Sequence, residues 1–304
     1  MIKGLAITPP ILGRISIGKV VEKNGKRLPE KDDQFTITTQ VQNKDGWIPH
    51  PYDEALRKTQ DNHKIRAIPI RLLFNEPDLN LRAEYCLFDR QNGRPLYTGN
   101  GETCRRYTAS GMAPLPCPSP DACEVAKAGC KPYGRLNVRI AEQEDDLGTF
   151  IFRTTGFNSI RTLAARLSYY QAVSGNLLAC LPLALRLRAK STIMSHRTPI
   201  YYADIGVREG QTLAQAIADA KELHSQRLAT GYEQAALDAA GYQGLSNGAF
   251  EDSDEDISEI VEEFYPATGE SSIDGNVDVA AVKTKPTLKD KLDRKTASFA
   301  TAPS

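Results

Sequence analysis

Cysteines carry the clearest chemistry in the chain. Cys104, Cys117, Cys123 and Cys130 follow one another at C-x12-C-x5-C-x6-C, within ETCRRYTASGMAPLPCPSPDACEVAKAGCKPYG. A structural Zn²⁺ takes four thiolates in a tetrahedron at ~2.3 Å. The same window holds Pro114, Pro116, Pro118, Pro120, Gly111 and Gly129, a composition that turns often and buries little by itself. A bound ion would stand in for the missing core, because structural zinc supplies roughly 10–16 kcal/mol of apparent binding energy to small folds. Arg105, Arg106, Lys127, Lys131 and Arg135 lie close in sequence, ready to offset the negative charge of a four-thiolate centre. Four free cysteines, or two disulfides in an exported chain, are the competing readings. Catalytic zinc is disfavoured, since four thiolates fill the coordination shell. Cys180 lies in the apolar run LLACLPLAL and reads as core. Cys86 shares a strand face with Arg82, Glu84 and Phe88 and receives no role.

Other reactive constellations do not assemble. Neither G-x-x-x-x-G-K-[ST] nor G-x-G-x-x-G occurs, and there is no H-E-x-x-H. One G-x-S-x-G match, GLSNG at Gly244–Gly248, lacks the preceding strand and following helix that a nucleophile elbow requires. His50, His63, His196 and His224 are scattered; His224 reads as a core-edge residue, and His63 is placed to pair with a carboxylate such as Asp61.

The elements that must position the cysteines are mostly strands. Strand patterns cover Ile15–Val21, Gln34–Gln42, Leu81–Asp89, Pro95–Thr98, Arg135–Ala141, Gly148–Thr155, Leu183–Ala189 and Pro199–Val207. Asn24-Gly25 and Asn92-Gly93 are the hairpin turns. Helical periodicity predicts one helix from a cap at Asn158 or Ser159 to about Val173. A second runs from the Thr212/Gln215 capping box to about Arg227, and a short third covers Glu233–Ala240. The fold class expected is α+β: a strand-rich body with a zinc-stapled loop segment, two or three helices and a disordered acidic C-terminal tail. The body would span 1–245, with the zinc segment at about 99–135 and the tail at 246–304.

Charge supports that division. The chain balances 38 Lys and Arg against 38 Asp and Glu, yet Glu251–Asp278 holds eleven acids and no base. From Ser246 onward there are 13 acids and 6 bases, leaving the body 32 bases against 25 acids. Such a tail cannot bury enough apolar surface to offset its ordering entropy, although a short helix at Asp256–Phe264 can form on a partner. No apolar run approaches the ~20 residues of a membrane helix. The N-terminus lacks a signal peptide's apolar core and cleavage site, so the expectation is a cytoplasmic, reducing location.

Basic residues interleaved with aromatics suit single-stranded nucleic acid, where cations track phosphates and rings stack on bases. Arg105, Arg106, Tyr107, Lys131, Tyr133, Arg135 and Arg139 form one such group; Arg153, Phe157, Arg161 and Arg166 form another. An acidic tail tethered beside such a group can occupy it as a phosphate mimic; a merely solubilising tail is the alternative.

Several runs resemble a known family. GRISIGK at Gly13–Lys19 leads through NGKRLPEKDDQFTITT, and is followed later by CPSPDACEVAKAGCKPYGRLNVRI, FIFRTTGFNSIRTLAARL and LPLALRLR. Together they resemble the recombination directionality factor-like proteins of phages and mobile elements that use large serine integrases. The resemblance covers about the first 210 residues. It implies a non-enzymatic regulator that binds the integrase, or its complex with DNA, and turns recombination toward excision.

Two readings of different class follow. The first is a zinc-containing regulator that engages a serine integrase or its DNA. The second is an accessory of replication or recombination that binds or anneals single-stranded DNA. A metal-dependent hydrolase ranks third, because no carboxylate–histidine set accompanies the thiols.

Overall fold

The computed structural model describes residues 9–247, apart from 24–25, 44–45, 92, 109–110, 119–121, 142, 144, 146 and 192–196, together with Val261, Phe264 and Tyr265. The chain separates into two units, 1–267 and 268–304, and every described residue belongs to the first.

Strands dominate, as their β-branched and aromatic content dictates. They are β1 (Ile11–Lys23), β2 (Lys26–Asn43), β3 (Gly46–Pro49), β4 (Ala67–Arg71), β5 (Leu81–Phe88), β6 (Pro95–Gly99), β7 (Thr103–Thr108), β8 (Gly111–Pro116), β9 (Lys131–Ile140), β10 (Thr149–Thr154), β11 (Leu183–Lys190) and β12 (Ile200–Val207). The main path runs β3-β2-β1-β10-β9-β5-β6-β7-β8, and β4, β11 and β12 branch from the far end of β9. All pairings are antiparallel except β1 with β10. The α+β, strand-rich class is observed.

Helices are more numerous than expected. Among the described residues there are α1 (Pro51–Thr59), α2 (Pro77–Asn80), α3 (Phe157–Val173), α4 (Leu213–Ala229) and α5 (Gln234–Asn247). The two that sequence patterning misses are short and begin with proline. Tertiary contacts stabilise α1: the His50 ring nitrogen accepts from Tyr52 N at 3.2 Å, and Asp53 accepts from Ile37 N at 2.8 Å while holding Arg57 at 2.6 Å. At α3 the N-cap is Gly156, whereas Ser159 accepts a hydrogen bond from Ala203 N at 3.0 Å. The Thr212–Gln215 capping box forms as expected. Helix α5 extends through Asn247, so most of GLSNG is helical.

One face of the central sheet carries Ile15, Ile37, Leu136, Val138, Phe150 and Phe152, which pack into the main core with Leu163 and Leu167 of α3. Alternation sends Arg135, Asn137 and Arg139 to the opposite face. A separate cluster gathers Phe88, Tyr97, Cys104, Cys117, Cys130, Tyr133 and Phe264. No helix among the described residues is long and apolar enough to cross a membrane.

Candidate cysteine centre and basic face

The segment expected as a metal-stapled loop is largely sheet. β7 and β8 form a hairpin that prolongs the sheet beyond β6, with Cys104 opposite Gly99 on one side and Leu115 on the other. Cys117 lies two residues past Leu115, and its N–H reaches Glu102 O at 2.8 Å. Period-two alternation therefore puts Cys104 and Cys117 on one face. The other two cysteines flank a 3₁₀ turn at Glu124–Ala128: Cys123 precedes it, and Gly129 at φ 106° reverses the chain into Cys130. Hairpin and turn thus deliver two cysteines each to the same cluster, three buried and Cys123 half-buried.

Mutual proximity shows in the electrostatics. Burial, then the neighbouring Cys123, Cys117 and Cys104, push the Cys130 thiol up to about 12. Tyr97 donates its hydroxyl to Cys117 Sγ at 2.8 Å. Burial and hydrogen bonds to Cys117 and Cys104 raise that phenol above its ordinary range. Among the described residues, no group of three His, Cys, Asp or Glu side chains is arranged to hold a metal ion. The thiols form a cluster with soft donor chemistry, not a preformed tetrahedron.

Three residues of this centre escaped sequence reasoning. Tyr97 is distant in sequence from the cysteine window. Cys86, opposite Lys131 in the β5–β9 ladder, is a fifth sulfur in the same cluster, itself buried. Phe264, from the stretch expected to be tail, is fully buried there. It meets Phe88 edge-on at 5.0 Å and Tyr133 at 6.2 Å, while Tyr265 donates to Phe88 O at 2.6 Å. The expected Asp256–Phe264 helix is represented by Val261 and Phe264, both helical. The other residues of 256–264, and Asn24-Gly25 and Asn92, lie outside the described residues.

The nucleic-acid candidates divide by exposure. Arg105, Arg106, Tyr107 and Arg161 are exposed, and Lys131 is half-buried. Arg135, Arg139 and Arg153 are buried. Arg135 and Arg153 sit opposite each other in register, with Arg82 next in the row, and Glu84 pairs with Arg135 at 3.1 Å. Arg166 belongs to a separate network, holding Asp204 at 3.1 Å. His63 turns its ring to the Arg57 carbonyl at 3.2 Å. Cys180 is core, as expected.

A family model described as Gp3-like, recombination directionality factor-like, matches residues 12–208. No curated protein and no solved structure matches the chain.

Proposed function

The chain belongs to the recombination directionality factor-like family, and on that premise we propose that it is a non-enzymatic accessory protein of a mobile genetic element. It binds a serine integrase, or the integrase–DNA complex, and favours excision. The observation that carries this reading is the match itself, which spans nearly all of the sheet and both strands of the β11–β12 pair. The non-catalytic reading is supported by how the polar side chains are used. His50 caps α1, Asp53 ties that helix to β2, and Asp204 clamps Arg166 and Arg188. The test is co-migration with the integrase of the same element in size-exclusion chromatography, with and without its DNA site. A complex is expected; separate elution under both conditions would contradict the reading.

The cysteine centre enters as a structural element of that accessory protein. We propose that Cys104, Cys117, Cys123 and Cys130 take one Zn²⁺, the sulfurs drawing together from their present cluster. Support comes from their convergence from a hairpin and a turn, and from the soft donor set. Elemental analysis should find about one zinc per chain. Cys104→Ser and Cys130→Ser should lose it, and Cys180→Ser should keep it. Metal-free protein that also fails to take up Cd²⁺ would reject the site.

A second reading, a single-stranded-DNA accessory, is favoured by one observation. Arg105, Arg106 and Tyr107 follow one another along β7, with Tyr107 63% exposed. Gel shifts with Tyr107→Ala and Arg106→Gln test it; binding unchanged by both would dismiss β7 as the contact.

A further inference from the structure

Strand β5 is paired along its β6 side for only part of its length. β9 pairs with Leu81 through Cys86, whereas β6 meets β5 only from Tyr85 to Phe88. Asn100 then turns the chain away, its N–H bonding Thr103 O at 3.0 Å to close the β6–β7 hairpin. Among the described residues, Leu81–Glu84 therefore has no strand partner on that edge. Hydrogen-bonding direction alternates along a strand, which fixes what the edge offers. Because Asn100 N–H points to β7, Gly99 points to β5, and Tyr85 opposite it points to β6. Two residues back, the N–H and C=O of Ala83 point the same way, past the end of β6. The end of α2 agrees, for Leu81 N–H turns from β9 to reach Pro77 O. Ala83 is exposed, so its donor and acceptor are open to a further strand.

That edge forms one wall of a cleft of about 420 Å³. Helix α3 supplies another wall through Ala164, Leu167 and Ser168, and α2 adds Pro77 and Asp78. Ala83 turns its side chain to the α3 face: it is opposite Gly134, where a Cβ would lie 2.8 Å from Ile160 Cγ1 of α3. A strand laid beside Ala83 thus aims alternate side chains at α3, where the short Ala164 and Ser168 leave room. Asp78 is exposed and holds no cation among the described residues. An open strand edge beside a helix is the layout that captures extended peptides by main-chain pairing.

We propose that this cleft is a docking groove for an extended segment of a partner protein, apolar at alternate positions and carrying a lysine or arginine for Asp78. The segment pairs its main chain with Ala83 along the line that β6 leaves at Asn100. Four residues of edge span roughly 13 Å, which suits a short linear segment. This goes beyond the integrase reading, and an integrase assay can fail while the groove holds. The probe is a set of acetylated, amidated hexapeptides alternating leucine and threonine, with lysine replacing each threonine in turn, titrated into the full-length chain. Binding should saturate, and amide hydrogen exchange at Ala83 should slow in the complex. Methylating the backbone nitrogens of one parity should weaken binding on the order of tenfold, and methylating the other parity should change it by less than about twofold. Ala164→Trp fills the cleft from the exposed side of α3 and should abolish binding. Ala83→Pro removes the cleft-facing N–H without taking a bond from β9, and should do the same. Asp78→Asn should weaken the lysine peptides about two- to fivefold at low salt and leave the lysine-free peptide unchanged. No saturable binding by any peptide at about millimolar concentration overturns the groove. Equal loss from both methylation parities, or full binding by Ala164→Trp, overturns main-chain docking at this edge. Circular dichroism separates lost binding from lost fold, and the methylated peptides decide the matter on the unaltered chain if a variant unfolds.

Discussion

Lys131 and Phe264 meet across 133 residues of sequence, the ammonium 4.5 Å from the ring centroid. The contact joins the first residue of β9 to Phe264, which with Tyr265 packs into the cysteine lobe.

Phe264→Ala should therefore behave as a core truncation. Removing a fully buried ring costs about 3–5 kcal/mol, and the melting temperature should fall by roughly 6–15 °C. Calorimetry checks this. A loss no larger than that of an exposed substitution such as Tyr107→Ala would show that the ring is not held there.

Gly99 is required by close approach. A Cβ at this position would lie 2.8 Å from Cys104 Cβ and 2.9 Å from Cys117 Sγ. Gly99→Ala should therefore push the two cysteines apart, destabilising the lobe by about 1–3 kcal/mol and weakening Cd²⁺ uptake relative to wild type. Tyr97→Phe removes the donor to Cys117 and should cost about 1 kcal/mol. Chemical denaturation measures both, and unchanged midpoints would contradict the described lobe.

Asp204, with its side chain 5% exposed, accepts from Arg166 of α3 at 3.1 Å and Arg188 of β11 at 3.0 Å. Asp204→Asn keeps the shape and removes the charge. A loss of about 1–3 kcal/mol is expected, larger than the loss from either arginine alone, because each arginine is about half exposed and its charge is screened. Equal losses from all three substitutions would contradict a clamp centred on Asp204.

Much of the fold was legible because strand alternation and hairpin turns are local signals. β5, β6, β10, β11 and β12 follow their apolar patterns closely, whereas β9 begins at Lys131, ahead of the expected Arg135. What escaped is what tertiary contacts decide. Helix α1 depends on Asp53 and His50 finding β2 and Tyr52, and the register that aligns Arg82, Arg135 and Arg153 has no trace in their spacing. In the cysteine window, prolines suggested a loop, yet Pro114 and Pro116 lie in β8 at the edge of the sheet, where a missing N–H is tolerated. Phe264 was hidden by its acidic surroundings, which masked one buried ring.

Asp33 gives the acid limb of stability a specific origin. Hydrogen bonding from Lys64, joined by Arg66 and set against burial, holds its carboxyl below the usual carboxylate range. A folded-state value below the unfolded one means the contribution is present above about pH 4 and fades as pH falls further. Asp33→Asn should flatten the decline in stability between about pH 5 and pH 2, and high salt should reduce the difference between variant and wild type. Parallel acid limbs would contradict the assignment.

The central claim is that this chain redirects a recombinase without catalysing anything itself. Its most direct measurement is a purified recombination assay with the serine integrase of the same element. Plasmids bearing either the parental pair of sites or the hybrid pair would be incubated with and without the protein. The account predicts excision between hybrid sites only when the protein is present, with integration between parental sites suppressed. Unchanged product yields on both substrates, at protein concentrations exceeding the integrase, would contradict it.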